Sequence, residues 1–176
     1  MPIIYFDRLL SSVGFNCFPT EAQSVEANGI NVLRSVMTKY LTADLGNLSV
    51  NQYTKINLNG TNSFGSRLTS TSDGGIKIGP GVSKVLISAR MLISSSTVGA
   101  HYIRIGKNNY SNVLGWVSHT NQFTSATFES IDITPALVDV SENDVIYMYY
   151  YVPSSSPTIY GNTTGCQTSL TVETVG

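Results

Sequence analysis

At 176 residues the chain can form one domain with a buried core plus an extension. Only 12% of its residues are charged and the net charge is −1, so it lacks the basic surface that nucleic acid or an anionic membrane would select. No apolar run reaches bilayer-spanning length, and membrane insertion is not expected. Tyr outnumbers Phe ten to six, amid many Asn, Ser, Thr and Gly residues, a mixture that favours strands and polar turns over helices. The same mixture suits an exposed recognition surface, although any β protein with long loops shares it.

Met1 to Leu10 carries Asp7 and Arg8 and has no apolar signal-peptide core. Residues 1–49 read as an N-terminal arm. Pro19-Thr20-Glu21-Ala22-Gln23 resembles a capping box, with Thr20 as N-cap and Gln23 at the third helical position, and Asn28-Gly29 would end that helix early. Ile30 to Leu41 fits two patterns. Val32, Leu33, Val36 and Tyr40 form a helical stripe, while Ile30, Val32, Arg34, Val36 and Thr38 alternate as a strand. The heptad does not persist, which argues against a coiled-coil stalk. Ile3, Ile4, Tyr5, Phe6, Leu9, Leu10, Phe15 and Phe18 are too many apolar residues for a solvated tail. They either pack on a neighbour or complete this chain's own core.

From Val50 onward the chain is a series of short strands punctuated by turn residues, the pattern of a sandwich. Strands are expected at Tyr53 to Leu58, Gly65 to Leu68, Ile76 to Ile78, Lys84 to Ile93, His101 to Ile105, Val113 to Val117, Ala126 to Ile133, Asp144 to Val152 and Ser169 to Val175. Turns fall at Asn59-Gly60, Asp73-Gly74-Gly75, Gly79-Pro80-Gly81 and Gly106 to Asn109. Asp144 to Val152 is apolar on both faces: Ile146, Met148, Tyr150 and Val152 on one, Val145, Tyr147, Tyr149 and Tyr151 on the other. An antiparallel strand with one solvated face should alternate apolar with polar. Either a second copy of the chain covers the tyrosine face, or the arm does so within one subunit.

A Gly-Gly-Ile-Lys-Ile-Gly segment precedes the long Lys84-Val-Leu-Ile-Ser-Ala-Arg strand. Later, Glu142-Asn-Asp-Val-Ile-Tyr enters another strand, and Leu170-Thr171-Val172-Glu173 closes the chain. This order, over residues 50–176, resembles the tumour-necrosis-factor-like jelly roll, the family of the complement globular head, in the form found on phage fibres and head appendages. The resemblance implies an all-β, antiparallel jelly-roll sandwich head at 50–176 that works as a homotrimer, with Tyr147, Tyr149 and Tyr151 at an aromatic seam. It implies no catalytic residues and no cofactor. Its implied partners are other virion proteins, reached through the arm, and a host surface glycan or protein. Its implied location is the virion, after synthesis in a host cytoplasm.

Catalytic and metal chemistry find little footing in the residues. His101 and His119 have no adjacent carboxylate. No nucleophile elbow or phosphate-binding loop is present, and Cys17 and Cys166 match no metal-ligand spacing; a bridge between them and two free thiols both fit. Asp139, Glu142 and Asp144 cluster oxygens at a strand entry, where an acidic turn explains them as well as calcium does. Glu129 and Asp132 lie three apart in a strand and so point to opposite faces, unlike a glycosidase pair. The sequons at Asn47, Asn59, Asn109 and Asn162 arise readily by chance in such a composition.

The strongest candidate recognition surface surrounds the single tryptophan, Trp116, with Tyr110 and Asn112 before it and His119 and Asn121 after it. Burial in the sandwich is the plainer role for Trp116. Tyr160 and Asn162 form a second candidate surface. Two functions follow: a phage attachment or decoration head, and a capsid cement protein without a host ligand. A tip esterase or depolymerase ranks below both, because no convergent catalytic set is visible.

Overall fold

The computed structural model describes residues 25–27, 30–32, 34–95, 99–121, 127–151, 157–162 and 167–175. Cys17, Cys166 and the arm up to residue 24 lie outside the described residues, as do the side chains of Trp116, His119 and Asn121. Every regular element among the described residues is a β-strand. A first pair, β1 (Val25–Ala27) and β2 (Ile30–Val32), is antiparallel and stands apart as its own two-stranded sheet.

The remaining strands form two antiparallel sheets. One contains β11 (Thr127–Asp139), β8 (Lys84–Ser95), β14 (Ser169–Thr174), β3 (Val36–Tyr40) and β5 (Gly60–Phe64) in that spatial order, with β13 (Thr158–Ile159) also paired to β8. The other contains β10 (Val113–Asn121), β9 (Gly99–Lys107), β12 (Val145–Tyr151), β7 (Ile76–Ile78) and β6 (Leu68–Ser70), with β4 (Tyr53–Lys55) also paired to β12. The two sheets are called the β8 sheet and the β12 sheet below.

Period-two alternation builds the core between them. Val85, Ile87, Ala89, Met91 and Ile93 of β8 face Ile103 and Ile105 of β9 and Ile146, Met148 and Tyr150 of β12 within one apolar cluster, which also takes Leu170 and Val172 from β14. Each fully buried aliphatic side chain contributes about 1.5–3 kcal/mol. Lys39 is a polar side chain on an inward position. It is buried, and its Nζ donates to Thr61 Oγ1 at 3.0 Å and to Ser70 Oγ at 2.9 Å, bridging the two sheets, while burial pushes its ammonium pKa down. Pro135 sits where the β11–β8 register shifts between Ile133 and Ala136, a bulge on an edge strand, which is where a residue without a backbone donor is tolerated.

The outward face of the β8 sheet carries one apolar row near an end. Leu137, Leu86, Val36 and Phe64 occupy adjacent strand positions, interrupted only by Glu173, which pairs with Arg34 at 2.7 Å. The next row is polar, with Ser88, Thr171, Thr38 and Asn62; the one after it holds Asp132, Arg90 and Ser169 and ends on Tyr40 and Gly60. Thr38 and Thr171 share a hydrogen bond of 2.9 Å.

Three expectations from the sequence change here. The helix expected from Thr20 begins outside the described residues and does not continue through Val25–Ala27, which is a strand paired with Ile30–Val32. The boundary at residue 49 moves, because β3 lies inside the sandwich between β14 and β5, so its alternating reading wins over the helical stripe. Asn59-Gly60 opens β5, while Gly65, at φ 80°, makes the turn before β6.

Candidate functional site

The two faces of β12 have separate fates. Ile146, Met148 and Tyr150 are fully buried between the sheets. The Tyr150 hydroxyl lies 2.5 Å from His101 Nδ1, and burial pushes the phenol well above its usual range. His101 is thus a core residue and not a surface ligand.

The opposite face of β12 meets neighbours from its own chain. Pairing with β9 places Tyr149 opposite Arg104 and Tyr151 opposite Tyr102; pairing with β4 places Tyr149 opposite Lys55 and Tyr151 opposite Tyr53. Cross-strand pairs of this kind sit close enough for rings to touch. Tyr53 and Tyr151 have ring centroids 5.3 Å apart, Tyr102 and Tyr151 5.6 Å, Tyr147 and Tyr149 6.2 Å. The β9–β10 turn adds Tyr110, stacked on Tyr53 at 6.0 Å and edge-on to Tyr149 at 6.4 Å. Two cations lie over this surface: Arg104 is 4.1 Å from the Tyr53 centroid and Lys55 is 4.6 Å from that of Tyr147.

Glycines leave room for the rings. A Cβ at Gly106 would stand 3.0 Å from the Tyr149 ring, and one at Gly75 would stand 2.5 Å from the Tyr147 ring. The turn that carries Tyr110 is fixed from below. Asn108, in the left-handed region at φ 65°, donates through its side chain to Asp144 at 2.8 Å and accepts from the Val145 amide at 2.7 Å. Asp144 also accepts from the Ser141 amide at 2.8 Å and pairs with Lys107 at 3.3 Å, so its oxygens serve the turn. Asp73 anchors the other end. It accepts from Lys55 at 2.6 Å, Thr71 at 2.6 Å and the Tyr147 hydroxyl at 3.1 Å, and the Lys55 bond leads the effects that hold its carboxyl down to about 2. Burial pushes the Tyr147 and Tyr149 phenols up, so the face is uncharged apart from its cations and Asp73 at neutral pH.

The residues singled out in the sequence separate in space. Tyr110, expected to bind a ligand, and Tyr147, Tyr149 and Tyr151, expected at a seam, are parts of one surface. Tyr149 is only 8% exposed within a single chain, covered by its own neighbours, so no second copy is needed to bury it. Tyr110 is 51% exposed. Asn112 is tied into the Tyr110 turn: its carbonyl accepts from Lys107 at 2.8 Å and its amide donates to Asn109 at 3.0 Å. Trp116, His119 and Asn121 follow on β10, at the register positions opposite Arg104, His101 and Gly99. Tyr160 and Asn162 belong elsewhere, since their amides donate to Leu92 and Leu41 beside the β8 sheet. Tyr53, Lys55, Asp73, Tyr102 and Arg104 were missed. The signal was present as period two in Tyr102-Ile-Arg104-Ile-Gly106 and in Tyr53-Thr-Lys55, but it required knowing that both strands flank β12.

No protein-family model matches the chain, and no curated protein matches its sequence. Solved structures do match. Murine APRIL superposes with a TM-score of 0.59 at 10% identity, over 81% of this chain and 99% of that one. Eiger TNF from S. frugiperda gives 0.57 at 8%, over 82% and 92%. The PRD1 vertex protein P5 gives 0.54 at 16%, over 82% and 97%. With two antiparallel sheets, the C-terminal strand seated inside one of them, and these likenesses, the chain has the tumour-necrosis-factor-like jelly-roll fold.

Proposed function

We propose that this protein is a non-enzymatic structural component of a bacteriophage virion, a homotrimeric fibre, spike or vertex head that binds a host surface glycan or protein through its tyrosine face. The observation that carries the reading is that face: an aromatic surface buttressed by glycines, cations and a pinned turn, on a fold shared with a phage vertex protein. Tyr and Arg supply contact area and directional bonds at low entropic cost, the composition of binding surfaces. In this reading the N-terminal arm, the part of residues 1–49 that precedes β3, attaches the head to the particle, and the protein is made in the host cytoplasm and carried on the virion.

The subunit contact in this proposal lies on the β8 sheet. Leu137 there is 57% exposed and lies in a row with the half-buried Leu86 and Phe64, whereas Tyr149, like Val36 in that row, is already covered. Light scattering tests the assembly: a native mass near three times 19.0 kDa supports it, and a monomer removes it. Adherence of the purified protein to host cells tests attachment. Binding only to particles that lack the protein would make it a capsid cement instead, and release of reducing sugar from host polysaccharide would make it an enzyme.

A further inference from the structure

We propose that the hollow bounded by Tyr53, Tyr102, Arg104 and Val113 binds a carboxylate-bearing sugar, with Arg104 receiving the carboxylate and the tyrosine rings receiving the sugar's C–H face. This rests on the attachment reading and narrows it to acidic saccharides. The hollow measures about 280 Å³. That is below the range of drug-sized sites and suits about one sugar ring.

Arg104 is held but not neutralised. One Nη1 hydrogen bond, at 3.1 Å, goes to the Tyr110 carbonyl, and the guanidinium lies over the Tyr53 ring. Its Nε is buried and has no hydrogen-bond partner among the described residues. No carboxylate pairs with it among those residues; Asp73, on the same face, is engaged by Lys55, Thr71 and Tyr147. A guanidinium fixed on a ring, with donors to spare and no anion, matches the bidentate geometry of a carboxylate. The larger hollow on the opposite sheet, about 390 Å³, makes the contrast: its Arg90 already faces Asp132 at 3.6 Å.

The rings select the rest of the ligand. Tyrosine offers an apolar body and a polar tip, and a pyranose offers an apolar C–H face with a hydroxyl rim. A deep apolar slot for a fatty or purely aromatic group is absent from the lining, which is three side chains with polar tips and one valine.

The test uses the full-length protein and calorimetric titration with three probes: a uronic-acid oligosaccharide, its carboxyl-reduced neutral counterpart, and a glutamate-rich peptide. The uronic-acid probe should bind, with affinity falling as salt rises, and the reduced probe should bind at least about tenfold more weakly. Arg104→Gln should lose about the same factor for the acidic probe and almost nothing for the neutral one, and Arg104→Lys should fall between wild type and Gln. Near-ultraviolet dichroism checks that the tyrosine packing survives, and the reduced-probe comparison on wild type needs no variant at all. Equal binding of acidic and neutral sugars overturns the proposal. So does peptide binding as tight as that of the sugar. Cell adherence without affinity for any probe also overturns it while leaving the attachment reading standing, and absence of both removes the two together.

Discussion

On the β12 sheet the outward positions of the two middle strands hold Tyr102, Arg104 and Gly106 on β9 and Tyr147, Tyr149 and Tyr151 on β12. On the β8 sheet the comparable positions hold Leu86, Ser88 and Arg90 on β8 and Ser169, Thr171 and Glu173 on β14. Both faces follow the same alternation, yet they handle water differently. The first carries large rings and hides much of them under one another. The second satisfies its middle through hydroxyl hydrogen bonds and leaves Leu137 in solvent at one end. Aromatic content therefore does not by itself mark the face that needs a partner; what marks it is apolar surface that the chain fails to cover.

The comparison breaks most sharply on assembly. Leu137→Asp should lower the native mass from trimer to monomer while leaving the fold intact, since the site is exposed. Tyr149→Asp should keep the trimer but destabilise the head by about 3 kcal/mol, because it places a charge where 8% exposure allows little hydration. Light scattering and urea unfolding read both, and a folded monomer from Tyr149→Asp would put the seam on the tyrosine face after all.

A smaller effect sharpens the account of how that face is built. Gly106→Val adds side-chain volume against the Tyr149 ring and the Asn109 backbone. It should cost about 1–3 kcal/mol, measured by urea unfolding, and should alter the tyrosine near-ultraviolet signal. A change confined to stability, with the tyrosine signal unmoved, would mean that the glycine does not support the ring.

The smallest effect is a pH dependence. The Asp73 carboxyl is held at about 2 in the folded chain, below its ordinary 3.8, so its contribution is present above about pH 4 and is lost as pH falls through about 2. Asp73 is partly exposed, at 44%, which limits the contribution to under about 1 kcal/mol. Asp73→Asn should flatten the difference in unfolding midpoint between about pH 5 and about pH 2.5, the β8 sheet face being unaffected. An unchanged difference would show that the Lys55, Thr71 and Tyr147 bonds do not operate in solution.

Long strands with uninterrupted patterns were legible in the sequence. Lys84–Ser95, Val145–Tyr151 and Ser169–Thr174 were read within a few residues, and β7 was read as it stands, because their alternation is backed by glycine and acidic turns at the ends. The interior place of β3 was not legible. Val36–Tyr40 has Met37 and Lys39 inward, and a lysine on a core position reads as solvent-facing until Thr61 and Ser70 are seen to receive it. The second half of β11, beyond the Ile133 at which the strand was expected to end, follows a bulge at Pro135 that breaks the alternation. As for the site, Tyr110 and the β12 tyrosines could be named one by one, but their union depends on β4 and β9 flanking β12, pairings between segments far apart in sequence that no local pattern encodes.

The seat of β14 has a consequence for biosynthesis. Residues 169–174 lie between β8 and β3, and Thr174 Oγ1 accepts from the Ser35 amide across 139 positions of sequence. Until the ribosome has delivered that strand, β8 and β3 face each other with open hydrogen-bonding edges, which are templates for pairing with the wrong chain. Closure of the sandwich therefore waits for the last of its described strands to be made, and is slow because the contacts that reward it are distant in sequence. A chain cut short before residue 169 would keep two unfilled edges and be a species for chaperones and proteases.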